Sequence, residues 1–220
     1  GSPQVQIWDP AQWPEGSGGL YNNQKNPKNP LLKADRPIGE WNTFYIKMVG
    51  EQVTVRLNGV LVVDDVIMEN YWERDKPIYP AGQIELQAHS TPLYFKNVFI
   101  RRLVQGTTGL PELPPAVGET PEAEEAAGFV PLFNGSDLTG WAGDTNGYLV
   151  RDGAILVKPD SGGNLYTERD YADFVLRFEF KLTPGANNGI GIRAPSAGDA
   201  AYVGMEIFDE TDGAEIYTGL

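Results

Sequence analysis

The stretch DFVLRFEFKL (residues 173–182) decides the fold class of this chain. Its apolar side chains recur at every second position, and most of the positions between them carry charge. The apolar set is Phe174, Leu176, Phe178, Phe180 and Leu182, and the charged set is Arg177, Glu179 and Lys181. A period of two is typical of an antiparallel strand with one buried and one solvated face. The stretch therefore predicts a strand that packs on an apolar core through one face.

The N-terminal part of the chain repeats this alternation. Residues 44–48 and 53–57 read FYIKM and VTVRL, and Asn58-Gly59 separates TVRL from VLVV. Both central positions of a type I′ turn need a positive φ, so Asn-Gly between two strand patterns predicts a hairpin. We predict further strands at 83–87, 93–101, 148–157 and 202–208. Because no long window has a helical period, we expect an all-β antiparallel sandwich.

Composition excludes several classes of partner. The 220 residues include 17 Lys and Arg against 30 Asp and Glu, a formal charge of −13. An acidic surface repels phosphate backbones and anionic lipid, so we expect no nucleic acid and no membrane partner. No run approaches the roughly 18 apolar residues that span a bilayer. Neutral carbohydrate remains compatible with this charge.

The catalytic groups available to the chain are also limited. There is no Cys, which excludes disulfides and thiolate chemistry, and there is one His, His89. A three-His zinc site is therefore impossible, and no loop has the dense oxygen ligands of an EF-hand. We expect no metal and no cofactor, and carboxylates are the predicted catalytic groups.

One segment differs from the rest of the chain. Residues 104–128 contain four Pro and five Glu with no Lys, Arg or aromatic residue. Such a composition cannot bury enough apolar surface to order itself, so it predicts an extended acidic linker. The linker separates an N-terminal block, 1–103, from a C-terminal block, 129–220.

Both blocks contain long motifs of a known family. The C-terminal block carries GFVPLFNGSDLTGW (128–141, beginning at the last linker residue), SGGNLYTERDYADFVLRFEFKLTPGANNGIGIR (161–193) and YVGMEI (202–207). The N-terminal block carries QVQIWD (4–9), GGLYNN (18–23), PIGEWNTFYIKMVGEQVTVRLNGVLVVDD (37–65) and GQIELQAHSTPLYFKNVFIRRL (82–103). Together they resemble the 3-keto-disaccharide hydrolase domain family of the concanavalin A-like lectin and glucanase superfamily. The resemblance implies a jelly-roll sandwich, hydrolysis of glycosidic bonds including those of 3-keto sugars, and a secreted or periplasmic location.

The two halves of the family pattern occur in swapped order. The chain is either a slice through two tandem domains or a circularly permuted single domain. QVQIWD (4–9) also resembles GMEIFD (204–209) near the other end of the chain. An isolated half-sandwich leaves unpaired edges and an uncovered apolar face. We therefore expect the two blocks to complete one sandwich, within the chain or by exchange between chains in a homo-oligomer.

Two carboxylates near the end of the chain are the predicted catalytic pair. Glycoside hydrolysis uses two carboxyl groups roughly 5 to 9 Å apart, and Glu206 and Asp209 follow a strand-like run. The alternative is that both are solvated carboxylates at a strand end. Without a gap Glu206 matches Gln6, and with a two-residue gap it matches Gln4, so only the C-terminal copy keeps an acid.

A 3-keto sugar allows a second route. The ketone acidifies the neighbouring C–H bond, so elimination followed by addition of water requires only one general base. Asn188 and Arg193 could then stabilise the enolate as hydrogen-bond donors. The alternative is that residues 187–189 form a turn and that Arg193 lies on a solvated strand face.

Exposed aromatic rings could stack on sugar rings. We predict this role for Trp8, Trp13, Tyr21 and Tyr202, and we expect Trp41 and Trp141 to lie in the core. His89, at a predicted strand end, is a candidate base or hydrogen-bond partner of the sugar, although a lone His is more often structural. The sequence thus favours a glycosidase, with a non-catalytic carbohydrate-binding module or an interaction domain of a larger protein as alternatives.

Overall fold

The computed structural model describes residues 3–104 and 121–194. The strands in these residues are β1 (Gln4–Trp8), β2 (Trp41–Val49), β3 (Gln52–Leu57), β4 (Val60–Ile67), β5 (Gln83–Gln87), β6 (Leu93–Arg102), β7 (Val130–Pro131), β8 (Trp141–Gly143), β9 (Tyr148–Arg151), β10 (Ala154–Val157), β11 (Asn164–Thr167), β12 (Phe174–Leu182) and β13 (Asn187–Ala194). A short helix, α1 (Pro121–Ala126), precedes β7, and a 3₁₀ turn (Thr145–Gly147) precedes β9. In this part of the chain no helix is long and apolar enough to cross a bilayer.

The strands form two antiparallel sheets. Sheet A has the order β1-β13-β5-β11-β8, and sheet B has the order β4-β3-β2-β12-β6-β10-β9, with β7 also paired to β6. The two inner faces together form one apolar core. The predicted fold class is confirmed: the chain is an antiparallel β-sandwich of the concanavalin A-like jelly-roll class.

Strands from before and after the acidic segment are interleaved in both sheets. In sheet A, β13 lies between β1 and β5, and in sheet B, β12 lies between β2 and β6. Each of these C-terminal strands therefore has N-terminal strands as both of its neighbours. In the described residues the two blocks form one sandwich within the chain.

Strand β12 has the predicted alternation. Its five apolar side chains at 174, 176, 178, 180 and 182 are all buried. Phe178 makes edge contacts with Phe44 of β2 and tilted contacts with Phe95 of β6. Such aromatic pairs add roughly 0.5–1.5 kcal/mol each to the burial of their area. The stretch that predicted the fold thus lies at the centre of the core.

The Asn-Gly hairpin is also confirmed. Asn58 and Gly59 have φ values of 53° and 82°, and they join β3 to β4. The Asn58 amide also donates hydrogen bonds to the Ala34 carbonyl and the Asn42 side chain, both at 2.8 Å. These bonds tie the turn to the loop that precedes β2 and to β2 itself.

The end of the acidic segment differs from the expected extended linker. Residues 121–126 are helical, and Glu124 is only 3% exposed, in an ion pair with Arg177 on the outer face of sheet B. A second apolar cluster, Tyr45, Phe99, Phe129 and Val175, lies beside this pair. The helix docks where the buried carboxylate of Glu124 meets the Arg177 cation next to apolar side chains.

Candidate functional site

The outer face of sheet A carries a row of polar side chains that we call the polar face. Its members are Gln4, Gln6, Trp8, Gln83, Glu85, Gln87, Asn164 and Tyr166. The register places Gln4 opposite Gly191, Gly191 opposite Glu85, and Glu85 opposite Tyr166. Gln4, Gln6, Gln83, Glu85 and Tyr166 are buried, which is unusual for the outer face of an antiparallel sheet.

Two glycines of β13 form the floor of the polar face. A methyl group added at Gly191 would lie 2.7 Å from Glu85 Oε2 and 2.8 Å from Glu85 Cβ. One added at Gly189 would lie 2.8 Å from Gln4 Cδ. Because Gly189 and Gly191 have no side chains, the neighbouring Gln4 and Glu85 side chains lie close against the backbone of β13.

Glu85 is the carboxylate at the centre of the polar face, and it is 2% exposed. Asn164 Nδ2 donates to Glu85 Oε1 at 2.8 Å and lies 3.3 Å from the Tyr166 hydroxyl. A buried carboxylate needs hydrogen bonds to remain ionised at a tolerable cost. Asn164 supplies one such bond and fixes the direction of the carboxylate.

A chain of amide hydrogen bonds runs beside Glu85. Gln4 Nε2 donates to Gln6 Oε1 at 2.6 Å, and Gln6 Nε2 donates to Asn187 Oδ1 and to the Asn188 carbonyl, both at 2.8 Å. Gln4 Oε1 is buried and accepts no hydrogen bond in the described residues. A buried acceptor without a donor is costly, so this atom is suited to accept a hydrogen bond from a ligand hydroxyl group.

Aromatic rings border one end of the polar face. Trp8 stacks on Trp13 with ring centroids 5.5 Å apart, and Tyr21 meets Trp8 edge-on at 5.6 Å. Trp8 itself is buried, and its indole N–H donates to the Gly16 carbonyl at 2.6 Å. Trp13 is half-buried and Tyr21 is 40% exposed. Three of the four predicted stacking residues are thus brought together, with Trp13 and Tyr21 nearest to solvent.

Arg193 does not lie on a solvated strand face. It is 2% exposed with a φ of 54°, and its guanidinium donates to the Ala172 and Tyr79 carbonyls at 2.8 and 2.9 Å and to the Asp173 carboxylate at 3.1 Å. Burial lowers the pKa of Arg193, and the nearby Asp173 charge opposes this. Its role as a donor to substrate stays a prediction, and that role would require these bonds to be exchanged.

Asn188 and His89 occupy different environments. Asn188 lies in β13 opposite Ile7, so the alternative of a turn at 187–189 is wrong. It is fully buried on the inner side of the sheet, and its Nδ2 donates to the Gln87 carbonyl at 2.9 Å. His89 is half-buried just after β5. The binding roles of both residues remain predictions.

The predicted catalytic pair lies outside the described residues, as does Tyr202. The N-terminal copy nevertheless shows what one of the matching positions does. Asp9, the match of Asp209, accepts hydrogen bonds from the backbone amides of Ala11 and Gly185, both at 2.8 Å. The bond from Gly185 fastens the end of β1 to the β12–β13 turn, and the bond from Ala11 shapes the turn after β1, so both are structural.

Two expectations about tryptophans had different outcomes. Trp141 is buried in the core, as predicted. The prediction for Trp41 is wrong, because it lies half-buried on the outer face of sheet B beneath Lys96 and Lys181. Trp41 is the first residue of β2 and occupies one of the alternate positions that face outward, whereas the next residue, Asn42, is buried.

Glu85 is not among the site residues that the sequence predicts. The signal was the alternation in QIELQ (83–87), where Ile84 and Leu86 are apolar and the residues between them are polar. That pattern predicts a solvated face, and nothing in it shows that the face is buried. The facing GIGI pattern at 189–192, with glycine at every outward position, is the feature that could have drawn attention to it. No three His, Asp or Glu side chains are grouped as a metal site within residues 3–104 and 121–194.

Comparison with protein-family models identifies the family of this chain. A model described as a 3-keto-alpha-glucoside-1,2-lyase-like domain matches residues 1–101 and 128–217. The chain belongs to this family. The two matched ranges lie on either side of the acidic segment, as the motifs in the two blocks predicted. Comparison with curated proteins gave no match.

Proposed function

We propose that the chain cleaves 3-keto-glycosides at the polar face, with Glu85 as the general base. The observation that carries the proposal is a single buried carboxylate, held by Asn164 among amide side chains on a glycine floor. The described part of the polar face contains no second carboxylate. That arrangement fits a reaction that requires one base better than the two-carboxylate mechanism of ordinary glycosidases.

The proposed reaction balances with one proton acceptor. The Glu85 carboxylate takes the proton from C2, which the 3-keto group has made acidic. The electron pair of the C2–H bond forms the C1=C2 double bond as the C1–O bond to the leaving group breaks. The proton on Glu85 then passes to the departing oxygen. Addition of water across the double bond would complete a net hydrolysis.

Burial of the site supports this chemistry and restricts access to it. A base shielded from water is stronger, and hydrogen bonds from substrate hydroxyls to buried acceptors gain strength in the low local dielectric. Gln4 Oε1 offers such an acceptor, and the aromatic group of Trp13 and Tyr21 offers a stacking surface nearby. Because Glu85 is buried, substrate reaches its carboxylate only after the atoms that shield this side chain from solvent move aside.

The earlier catalytic candidates remain part of the proposal. In the ungapped internal match Glu206 corresponds to Gln6, a residue of the polar face, so Glu206 would supply a second carboxylate where that segment contributes to a site. Asp209 corresponds to Asp9, whose bonds to backbone amides favour a structural role. We therefore rank Glu85 above Glu206, and Glu206 above Asp209, as the proposed catalytic group.

The test compares two carboxylates on the outer faces of different sheets, Glu85 on sheet A and Glu179 on sheet B. Glu85→Gln keeps the shape of the side chain and removes the base, and Glu179→Gln makes the same change on the outer face of sheet B. We measure product release from a 3-keto-disaccharide and from its unoxidised parent. We expect Glu85→Gln to lower kcat at least about 100-fold, with Glu179→Gln unchanged and a preference for the keto sugar. Full activity of folded Glu85→Gln would reject Glu85 as the base.

A second function is favoured by the amides of the polar face. Gln4 and Gln6 cannot act as acids or bases at neutral pH, yet they suit hydrogen bonding to sugar hydroxyls. A non-catalytic carbohydrate-binding module would bind the 3-keto-disaccharide without cleaving it. An interaction domain of a larger protein would do neither. Whether it cleaves or only binds carbohydrate, we propose that the chain acts outside the cytoplasm. This proposed location rests on the family alone.

A further inference from the structure

The aromatic end of the polar face lies far from Glu85. Trp8 is paired with Asn187 and Glu85 with Gly191, so four residue steps of β13 separate the two positions along the strands. Strands β1 and β5 are also two strand spacings apart. With about 3.3 Å per residue and about 4.8 Å per strand spacing, the Cα atoms of Trp8 and Glu85 are about 16 Å apart.

The direction of the Trp8 side chain keeps the rings at this distance. Its indole N–H donates to the Gly16 carbonyl at 2.6 Å. Residues 18–19, just after Gly16, exchange backbone hydrogen bonds with Gln6 along the edge of β1 that faces away from β13. Trp13 stacks on Trp8 with an interplanar angle of 3°. The stacked rings therefore extend beyond β1, away from β13 and β5.

Amide groups occupy the part of the polar face between Glu85 and these rings. Gln4 is paired with Gly191 and Gln6 with Gly189, so the two side chains follow each other towards Trp8. Gln4 Oε1 accepts no hydrogen bond in the described residues. None of the polar-face members is Lys, Arg or His. This stretch therefore suits the hydroxyl groups of neutral sugar units.

The rings at the far end are more accessible than the rest of the polar face. Tyr21 is 40% exposed and Trp13 is half-buried, whereas Gln4, Gln6 and Glu85 are buried. The C–H surface of a sugar ring packs well on an aromatic face. A sugar unit can therefore contact Trp13 and Tyr21 without the movement that access to Glu85 requires.

We propose that Trp13 and Tyr21 form a distal sugar-binding subsite, and that the substrate class is 3-keto-ended oligosaccharides of about four units. This inference rests on the proposed function, which places the scissile bond at Glu85. One sugar unit adds about as much length as one strand spacing, about 5 Å. The keto unit at Glu85 and three further units therefore reach the rings, and a disaccharide does not. Because the C1–O bond of the keto unit breaks, the further units belong to the leaving group.

The test measures whether affinity depends on chain length through Trp13. Calorimetry gives the dissociation constants of the unoxidised α-linked glucose disaccharide and tetrasaccharide for the parent chain, Trp13→Ala and Trp13→Phe. Trp72→Ala is the matched control, because Trp72 is also half-buried and stacks on Tyr79 in another loop, with ring centroids 5.9 Å apart. Turnover of the 3-keto forms of both sugars is measured in parallel, and urea denaturation verifies that each variant is folded.

We expect the parent to bind the tetrasaccharide at least about tenfold more tightly than the disaccharide. Trp13→Ala should abolish this preference without changing the affinity for the disaccharide. Trp13→Phe, which keeps an aromatic ring, should retain most of the preference, and Trp72→Ala should retain all of it.

The outcomes separate this inference from the proposed function. Equal affinities of the parent for the two sugars, or a preference that Trp13→Ala leaves intact, would overturn the distal subsite even if the keto sugars are cleaved. An equal loss in Trp13→Ala and Trp13→Phe would assign Trp13 a structural role and also overturn it. A preference that Trp13→Ala alone removes, without any turnover, would support the subsite and reject the proposed cleavage. Binding of neither sugar would reject both.

Discussion

The two outer faces of the sandwich are built from the same alternating strand pattern and have opposite chemistry. On sheet A, Gln4, Gln6 and Glu85 are buried and bonded to each other or to nearby amides over glycine backbone. On sheet B, Lys96 and Lys181 lie over the Trp41 ring, 4.2 and 4.9 Å from its centroid.

The difference lies in how firmly each face fixes its polar atoms. Long lysine side chains at a solvated surface exchange partners easily, and exposed ion pairs there contribute little. Short-range bonds between buried amides and a carboxylate have few alternatives, so their geometry is fixed in advance. Preorganised polar groups are what binding and catalysis require, which is why we place function on sheet A.

The Glu124–Arg177 ion pair is a buried polar contact on the otherwise solvated outer face of sheet B. Its removal should have the largest effect on the free energy of unfolding. Glu124 of α1 is buried against Arg177, and removing one partner of a buried ion pair leaves an uncompensated charge. Glu124→Ala should lower the free energy of unfolding by about 3 kcal/mol, measured by urea denaturation. Glu179→Ala, which removes the partly exposed partner of Lys96, should cost at most about 1 kcal/mol. Equal losses in the two variants would show that burial of α1 contributes nothing.

A substitution in the glycine floor of the polar face should cause the second-largest loss of unfolding free energy. In Gly191→Ala the new methyl group would lie 2.8 Å from Glu85 Cβ, which is not a flexible side-chain end. We expect a loss of about 2 kcal/mol in unfolding free energy and a displaced carboxylate. Gly162→Ala is the control, since a methyl group there meets nothing within 4 Å. If Gly191→Ala were as stable as the control, the close approach of Glu85 to β13 would be disproved.

A smaller, pH-dependent effect is expected at the loop next to Tyr21. Burial raises the pKa of Glu69, but hydrogen bonds from the backbone amides of Gln24, Asn26 and Lys25 outweigh it, so the folded pKa lies below the ordinary value of 4.5. The stability this group contributes is therefore present above pH 4.5 and is lost as the pH falls through the folded pKa.

Glu69→Gln tests that contribution directly. The variant should be less stable than the parent by about 1 kcal/mol at pH 7, and the difference should shrink as the solution is acidified below pH 4.5. Thermal or urea unfolding at several pH values measures it. A constant difference across this range would contradict the assignment of the depressed pKa to Glu69.

The smallest expected effect lies on the solvated face. The Lys181 ammonium group is 4.5 Å from the Tyr94 centroid and also lies over Trp41. Lys181→Met keeps the apolar stem and removes the charge, so it should cost only about 0.5 kcal/mol. Urea denaturation in low and high salt measures this. A loss above that of Gly191→Ala would reverse the ranking of the two faces.

Local patterns predicted the parts of the fold that depend on neighbouring residues. Alternation in 173–182 and Asn58-Gly59 specified β12 and the β3–β4 turn because each signal acts over a few residues. The alternation of QVQIW (4–8) was not used to predict β1. Its pairing with β13, from Gln4 opposite Gly191 to Trp8 opposite Asn187, joins the two ends of the described chain and has no local signal. The pairing of β1 with β13, and with it the burial of the polar face, is set by topology.

The candidate site was predictable only in part, for the same reason. Trp8, Trp13 and Tyr21 lie close together along the chain, and their grouping was expected. No local pattern predicted the role of Glu85. A polar residue between two apolar residues gives the same alternation whether the outer face of the strand is exposed to solvent or buried. The alternative that Arg193 lies on a solvated strand face was wrong. Its hydrogen-bond partners, Ala172 and Tyr79, come from loops whose positions the strand pattern does not show.

The interleaving of strands from the two blocks in both sheets also determines how the molecule can fold. Strands β1, β5 and β6 of the first block have as sheet neighbours only strands that follow the acidic segment. During synthesis the first block must therefore wait, with its apolar face open, until residues beyond 174 have been made. Chains whose contacts are this distant in sequence fold slowly, so chaperone binding to the nascent N-terminal block is the expected cost of this chain order.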